Sequence, residues 1–413
     1  MPALGPRSLA SRARNILGQD VASLKQGLVA LLGAAVASLI AGFTLGKIEN
    51  TLDRLPGLVV MVPAAIGMRG HIFGALGSRL GTSIHTGTFT LSRRRDTVVG
   101  QNVLATIVLT LTFSIAIAVL AKAGTTVFHV PNAIGIDDFV VISVIGGSLA
   151  SVGLLGFTLG LAALAVRYEW DLDNVAAPLV TASGDMLTLP ALVLATVVAE
   201  RALTPVLALV FAAVTAVALV SAFRTRLTVV KHLVKESLPI HAVATVIGTV
   251  AGVAIEHRLD SFRALPALLV LVPPFLATAG AIGGILASRL SSKLHLGVVL
   301  PANVPSRVAQ RDIALMFGCA IPMFVLVALA SDAVALAANL ATPGALDMVK
   351  VTLLAGAVTF VVATTVVYYG SIAVFRLGLD PDNIGIPLVT SSVDLGGSFA
   401  LVFAIVAFGL SAS

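Results

Sequence analysis

Residues 173–185 read DNVAAPLVTASGD and residues 382–394 read DNIGIPLVTSSVD, with 8 of 13 positions identical. A second pair of segments, residues 62–87 and 272–297, aligns without gaps and has 11 of 26 positions identical. The two pairs are offset by 209 and 210 residues, and two matches at nearly the same offset are hard to attribute to chance. The chain therefore contains two copies of one structural unit.

The composition is that of a membrane protein. Of the 413 residues, 58% are hydrophobic and 11% are charged, and the mean hydropathy is +1.04. The 26 Lys and Arg and 20 Asp and Glu are too few to solvate a soluble protein of this size. A single cysteine, Cys319, excludes an internal disulfide and a zinc site built from cysteine pairs. We therefore expect an all-α polytopic protein in the lipid bilayer, and neither a soluble enzyme nor a nucleic-acid-binding protein.

Eleven apolar stretches are long enough to cross about 30 Å of hydrocarbon as helices. They lie at about residues 27–48, 57–80, 98–121, 138–166, 175–199, 202–222, 238–257, 266–290, 312–331, 348–376 and 384–411. The stretches around Pro63 and around Pro273 and Pro274 are rich in proline and glycine, so we expect bends or breaks there. Residues 1–25 are basic and precede a long apolar stretch, which predicts a cytoplasmic tail and a retained first helix.

The two copies organise the predicted fold. Residues 26–200 form the first five-helix repeat, residues 201–234 a linking transmembrane helix with a basic cytoplasmic loop, and residues 235–413 the second repeat. Because five crossings reverse the direction of the chain, the linking helix returns the second copy to a parallel orientation. Parallel copies imply a pseudo-two-fold axis along the membrane normal, with equivalent residues facing each other around a central path. One chain then has the symmetry of a dimer and could function as a single-chain pseudo-dimer.

The basic residues predict the orientation. With the N-terminus inside, 16 of the 26 Lys and Arg fall on the cytoplasmic side and seven fall in outer loops, as the positive-inside rule requires. Eleven crossings then put the C-terminus outside. We expect an integral protein of the cell membrane whose positive charge needs no anionic partner.

Two acidic residues, Asp185 and Asp394, lie deep within the spans. Each is about 12 residues inside its span, which is about 18 Å along a helix and near mid-membrane. A carboxylate at this depth is costly and usually faces a polar cavity, a partner charge or a cation. The same span carries no Lys or Arg at a comparable depth in either copy. The pair predicts an ion site, and the alternative is two structural carboxylic acids that stay protonated.

An oxygen-bearing stripe accompanies each aspartate, because residues spaced by four, three and four share one helix face. The proline of the stripe can also free a backbone carbonyl in the preceding turn. Oxygen ligands suit hard divalent cations, and magnesium could be held through its waters by two facing carboxylates. Soft metals are less favoured, because neither His nor Cys repeats along the stripe. The predicted metal ligands are Asp185 and Asp394, and the predicted pore-lining residues are Asn174, Pro178, Thr181, Asn383, Pro387 and Thr390. No resident cofactor is expected, since magnesium is the transported ion.

A repeated arginine lies near the cytoplasmic end of the second span in each copy. By the predicted topology, Arg79 and Arg289 lie at the same boundary as Asp173 and Asp382, where the fifth spans begin. Forked, charge-assisted Arg–carboxylate pairs there would form an inner gate. The alternative is that both arginines extend to lipid headgroups.

The repeated motifs resemble those of the MgtE and solute carrier family 41 magnesium transporters. The resemblance rests on a second span that is rich in proline and glycine and ends in GSRLG (77–81) or ASRLS (287–291), and on the P-hydrophobic-hydrophobic-T-x-x-x-D element of the fifth span. It covers nearly all of residues 25–411, in the fused two-copy arrangement of the solute carrier branch. It implies divalent cation transport through a central site lined by the last aspartate of each motif, here Asp185 and Asp394.

The chain departs from this family in two respects. Where family members usually have asparagine after a glycine of the second span, this chain has His71 and Ala281. The bacterial branch also carries cytoplasmic sensor domains, for which this sequence has no room. Any gating by intracellular magnesium would then use the membrane domain itself or would not occur.

Several functions remain as alternatives at this point. The site could serve a channel or an exchanger coupled to sodium or protons, and it could carry another divalent metal. Intramembrane aspartyl proteases also use two aspartates, and SGD at 183–185 partly matches their G-x-G-D element. The second copy reads SVD, however, and both aspartates belong to one duplicated motif. A receptor or scaffold would need no repeated acids at mid-membrane.

Overall fold

The computed structural model of the chain describes residues 31–90, 92, 94, 96–168, 172–295, 297–376 and 386–410. Regular structure in these ranges is helical, without a β-strand. The α-helices, in chain order, are α1 (Leu31–Lys47), α2 (Glu49–Arg54), α3 (Leu58–His85), α4 (Val98–Val127), α5 (Ile136–Tyr168), α6 (Leu172–Ala195), α7 (Thr204–Arg224), α8 (Thr228–Glu256), α9 (Leu259–Ala264), α10 (Pro266–His295), α11 (Arg307–Ala337), α12 (Ala345–Arg376) and α13 (Ile386–Ala407).

Eleven of these helices correspond to the eleven expected spans. Ten are long and apolar enough to cross a membrane, and α1 is a shorter apolar helix over its described residues. The predicted all-α polytopic membrane fold is therefore confirmed. The cytoplasmic tail predicted at residues 1–25 lies outside the described residues.

Three local features differ from expectation. The short helices α2 and α9, which lie 210 residues apart at equivalent places in the two copies, were not predicted. Helix α8 begins ten residues earlier than its apolar stretch, because its first turns are helical but carry exposed Lys231 and Lys235. Helices α3 and α10 run without interruption past their prolines, so the expected breaks do not occur. A transmembrane helix tolerates such prolines where neighbouring helices surround it.

The two second-span helices, α3 and α10, form the centre of the molecule. Among the membrane-length helices they are the most buried, whereas the linking helix α7 is the most exposed and packs only on one side of the bundle. Helix α3 packs against α6 and α8, and α10 packs against α11, α12 and α13. The central pair therefore positions the helices that carry Asp185 and Asp394.

The first helix of each copy packs against the other copy. Helix α8, which opens the second copy, lies along α3 and α4 of the first. The backbone of Gly252 in α8 meets the backbone of Val60 in α3, and at the equivalent place Gly42 in α1 meets Val270 in α10. Lys47 at the end of α1 also donates a hydrogen bond to the carbonyl of Ala338, 2.6 Å away. The two copies thus exchange their first helices, which sequence analysis did not foresee.

We expect Gly252→Ala to destabilise the protein, because the added Cβ would overlap the carbonyl oxygen of Val60. Overpacking of this kind costs about 1–3 kcal/mol. Gly318→Ala is the matched control, since Gly318 is an exposed helical glycine with open space around its Cβ position. Thermal unfolding in detergent should show a lower midpoint for Gly252→Ala alone. Equal midpoints for both variants would contradict the close helix exchange.

Candidate functional site

Asp185 in α6 and Asp394 in α13 lie near each other in the interior of the helix bundle. Asp185 is 6% exposed, and Asp394 is somewhat more accessible. The charge of Asp185 acts on Asp394, so the two carboxylates are within electrostatic reach. The duplicated motif thus brings two acidic groups to one place, while their role as metal ligands stays a prediction.

Asp185 has a hydroxyl partner from the first helix. Ser38 in α1 is fully buried and donates a hydrogen bond to Oδ2 of Asp185, 2.7 Å away. The residue equivalent to Ser38 in the second copy is Gly248, which packs against Ala64. The two carboxylates therefore have different surroundings, and sequence analysis missed Ser38 because it does not repeat.

Asp394 faces a glycine of the opposite copy. A Cβ at Gly67 in α3 would lie 3.4 Å from Oδ2 of Asp394, so the glycine leaves room beside the carboxylate. One turn further along α3, Nε2 of His71 lies 2.7 Å from Oγ1 of Thr390, which is one turn before Asp394. Helices α3 and α13 therefore run in opposite directions where they meet, with Gly67 level with Asp394 and His71 level with Thr390.

An accessible stripe runs along each central helix. Its members are spaced by four, three, one and three residues on otherwise buried helices, so the stripe faces the space between the two copies. Most of the side chains are small. The stripe consists of Gly67, His71, Gly74, Ala75 and Ser78 on α3 and of Ala277, Ala281, Gly284, Ile285 and Ser288 on α10.

The predicted pore-lining threonines lie next to this stripe. Thr181 packs against Gly70 and Gly74 of α3, and Thr390 contacts Gly280 of α10. Pro387 lies in the first turn of α13. The side chains of Asn174 and Pro178, and the whole of Asn383, lie outside the described part of the chain, so their predicted role is untested.

Hydroxyl groups accompany both aspartates: Ser38 donates to Asp185, and Thr181 and Thr390 lie one turn before Asp185 and Asp394. The imidazole of His71 contacts Thr390. Within the described ranges, no three His, Cys, Asp or Glu side chains lie close enough together to hold a metal ion.

The repeated arginines bind the neighbouring helix at the predicted inner end. Arg289 in α10 forms an ion pair with Asp312 in α11 at 3.0 Å, and Lys293 reaches the other carboxylate oxygen of Asp312 at 2.6 Å. At the equivalent place in the first copy, Nε of Arg79 donates to Oδ1 of Asn102, 2.7 Å away. Asn102 and Asp312 are 210 residues apart, and this spacing could have identified them from the sequence.

The proposed inner-gate partners are not described. The side chain of Asp173 and the whole of Asp382 lie outside the described residues, so pairing with Arg79 and Arg289 stays a prediction. Arg79 and Arg289 do not extend to lipid headgroups in the structure, because both guanidinium groups form hydrogen bonds to side chains of adjacent helices.

Comparison with known proteins gives a consistent result. The family model of MgtE, described as a divalent cation transporter, matches residues 62–195 and 272–404, which together are more than half of the chain. Solute carrier family 41 member 3 of Rattus norvegicus is 25% identical over 281 residues, which are 63% of this chain and 59% of that protein. Solute carrier family 41 member 2 of Xenopus laevis is 24% identical over 417 residues, which cover 92% of this chain and 71% of that protein. No solved structure matches the chain significantly.

The ion pair of Asp312 generates a stability prediction. Asp312→Ala leaves Arg289 and Lys293 without their buried carboxylate, and we expect a loss of about 3–5 kcal/mol, as for other broken buried ion pairs. Asp347→Ala is the control, because Asp347 forms an exposed pair with Lys350 that should contribute less than about 1 kcal/mol. Thermal unfolding in detergent measures both variants, and equal losses would contradict a structural role for the buried cluster.

Proposed function

The chain belongs to the MgtE family of divalent cation transporters, and from this premise we propose that it carries a divalent cation, foremost magnesium, across the membrane between Asp185 and Asp394. One observation carries the proposal. Two carboxylates, one buried and one half-buried, supplied by equivalent positions of the two copies, lie within electrostatic reach of each other inside the bundle. Like charges so placed repel, and a divalent cation between them converts the repulsion into attraction.

The surroundings of the pair support magnesium. This ion demands octahedral oxygen coordination and loses its waters reluctantly, so it is usually held by one or two carboxylates and several waters. The hydroxyls of Ser38 and Thr390 supply further oxygen near the pair. Small residues such as Gly67 and Gly74 on the accessible stripe leave space for a partly hydrated ion.

The two halves of the molecule would form the walls of the transport path. Helices α3 and α6 pack closely together, as do α10 and α13, whereas contacts across the path, between α3 and α13 and between α6 and α10, are few. This arrangement supports a single-chain pseudo-dimer with its axis along the path. In the proposal Arg79 and Arg289, anchored at Asn102 and Asp312, close the inner end against Asp173 and Asp382.

The orientation is also a proposal. The protein is integral to a membrane, and we place it in the cell membrane with the N-terminus inside and the C-terminus outside. Exposed basic residues at the turn between α7 and α8, among them Arg224, Arg226 and Lys231, support a cytoplasmic location for that turn. The protease alternative gains no support from a family whose description is transport.

The double variant Asp185→Asn, Asp394→Asn should lose magnesium transport, because it removes both negative charges from the site. Each single variant should lower the flux by roughly tenfold or more, since one ligand carboxylate is worth at least the 1.4 kcal/mol of a tenfold change. Magnesium uptake into proteoliposomes, read with an enclosed indicator dye, measures the flux. The same vesicles under imposed sodium and proton gradients distinguish a channel from a coupled exchanger.

The control for this experiment is Asp347→Asn, which changes an exposed carboxylate at the start of α12. It should leave the flux unchanged. Undiminished flux in a correctly inserted double variant would overturn the proposed site.

Labelling of single cysteines in a Cys319→Ala background should verify the orientation. Four spans, α4 to α7, separate Arg94 from Arg226, and one span separates Arg94 from Asn132. Cysteines at positions 94 and 226 should therefore react with an impermeant reagent only from the cytoplasmic side, and a cysteine at 132 only from outside. Labelling of 94 and 226 from opposite sides would refute the eleven-span topology, and labelling of both from outside would reverse the orientation.

A further inference from the structure

Two histidines, one half-buried and one buried, meet beside the proposed path. The rings of His71 in α3 and His241 in α8 lie 6.1 Å apart between centroids and nearly perpendicular, at 81°. His241 is 4% exposed, and its ring also packs against Phe113. The exchange of first helices brings the two together, because α8 belongs to the second copy in sequence and packs on the first. The equivalent positions hold Ala281 and Leu31, so the pair occurs in one half alone.

Thr390 contacts His71 and can also donate to the carbonyl of Pro387, 3.2 Å away. The direction of the 2.7 Å contact between Oγ1 of Thr390 and Nε2 of His71 depends on the tautomer of the ring, and in the tautomer with Nε2–H the imidazole donates. Nδ1 of that neutral ring then carries a lone pair, and this atom is buried without a hydrogen-bond partner.

The ring of His241 has a similar arrangement. Neither of its nitrogens completes a hydrogen bond of normal geometry. The carbonyl of Ser237, one turn earlier in α8, lies close enough to attract one ring N–H, and this tautomer leaves the other nitrogen with a free lone pair. Buried polar atoms without partners are uncommon and call for a physical explanation. Here two such imidazoles lie next to each other, with their ring planes nearly perpendicular.

We propose that His71 and His241 form a nitrogen-ligand site for a borderline divalent cation such as Zn²⁺, separate from the carboxylate pair. Metal-binding histidines usually donate their second N–H to a carbonyl or another fixed acceptor, which orients the ring. Thr390 can be that acceptor for His71, and the carbonyl of Ser237 lies one turn before His241 on the same helix. With Zn–N bonds of about 2.0–2.1 Å, tetrahedral coordination needs centroids about 5.2 Å apart, so the rings must approach by about 1 Å. Water fills the remaining positions.

Nearby charges make the site reversible. The guanidinium of Arg79 acts on His241 and opposes a bound cation, while Glu236 in α8 partly balances Arg79. A second consequence rests on the proposed function. Because His71 lies on the accessible stripe and bonds one turn from Asp394, a metal held there would fix α3 against α8 and α13 and inhibit magnesium flux.

Zinc binding to the purified full-length chain tests the site itself. The experiment uses calorimetry in the Asp185→Asn, Asp394→Asn background, so that the carboxylate pair contributes nothing. His71→Asn and His241→Asn should each weaken the site roughly tenfold or more, since each removes one of two protein ligands. The variant that carries both changes should bind zinc with the same affinity as either single variant, because loss of one ligand already removes the site. His232→Asn is the control, because His232 lies on the same helix, exposed and paired with Glu236; it should bind zinc normally.

A folding check keeps the result interpretable. His241→Phe preserves the ring that packs on Phe113 but has no nitrogen ligand, so it should fold normally and still lose the site. Zinc affinity in the histidine variants equal to that of the background chain would overturn the proposal, as would an equal loss in His232→Asn.

Inhibition of magnesium uptake by zinc tests the histidine site and the proposed transport function independently. In the chain with both aspartates, the zinc concentration that halves magnesium uptake should rise roughly tenfold in His71→Asn, relative to each protein's own uninhibited flux. Zinc binding that requires both histidines, in a protein without magnesium flux, would refute the proposed function and leave the metal site standing. An unchanged half-inhibiting concentration in a protein that does transport magnesium would refute the inhibitory role.

Discussion

Two carboxylates that lie close together inside a membrane protein repel each other when both are charged. Asp185 and Asp394 are within electrostatic reach of each other inside the bundle, so the residues around them matter. Ser38 stabilises one carboxylate by a hydrogen bond, and Gly67 leaves space beside the other. In the proposed function a cation between the two would balance both charges.

The exchange of first helices makes this arrangement possible. Helix α1 supplies Ser38 while its own Gly42 packs against the backbone of Val270 in the other copy. In a bilayer, helices gain little from burying apolar surface, so close backbone contact between small residues is an important source of association. The glycines at these crossings therefore hold the two copies together across the path, and the direct contacts between opposite walls can stay few.

Duplication gave the two halves the same positions but not the same chemistry. The aspartates, threonines and arginines of the path repeat, whereas their supporting residues differ. Where the first copy has a neutral partner for its arginine, the second has a buried carboxylate shared with a lysine. The differing pairs, first copy then second, are Ser38 and Gly248, His71 and Ala281, and Asn102 and Asp312. The repeated positions thus have different neighbours in the two copies, and the histidine pair lies in one of them.

The sequence by itself determined the membrane class, the eleven helices, the duplication and the two deep aspartates, because length, hydropathy and internal repetition are properties of the linear chain. It also indicated the proline-bearing helices, although it overestimated how far Pro63 would interrupt α3. Only the tertiary structure decided that Ser38 binds Asp185, that Asn102 and Asp312 hold the arginines, and that His71 meets His241. Each of these contacts joins residues from different helices, and which helices become neighbours depends on close packing between their backbones. No periodicity within a single helix records that packing, so the exchange of α1 and α8 between the copies could be found only in three dimensions.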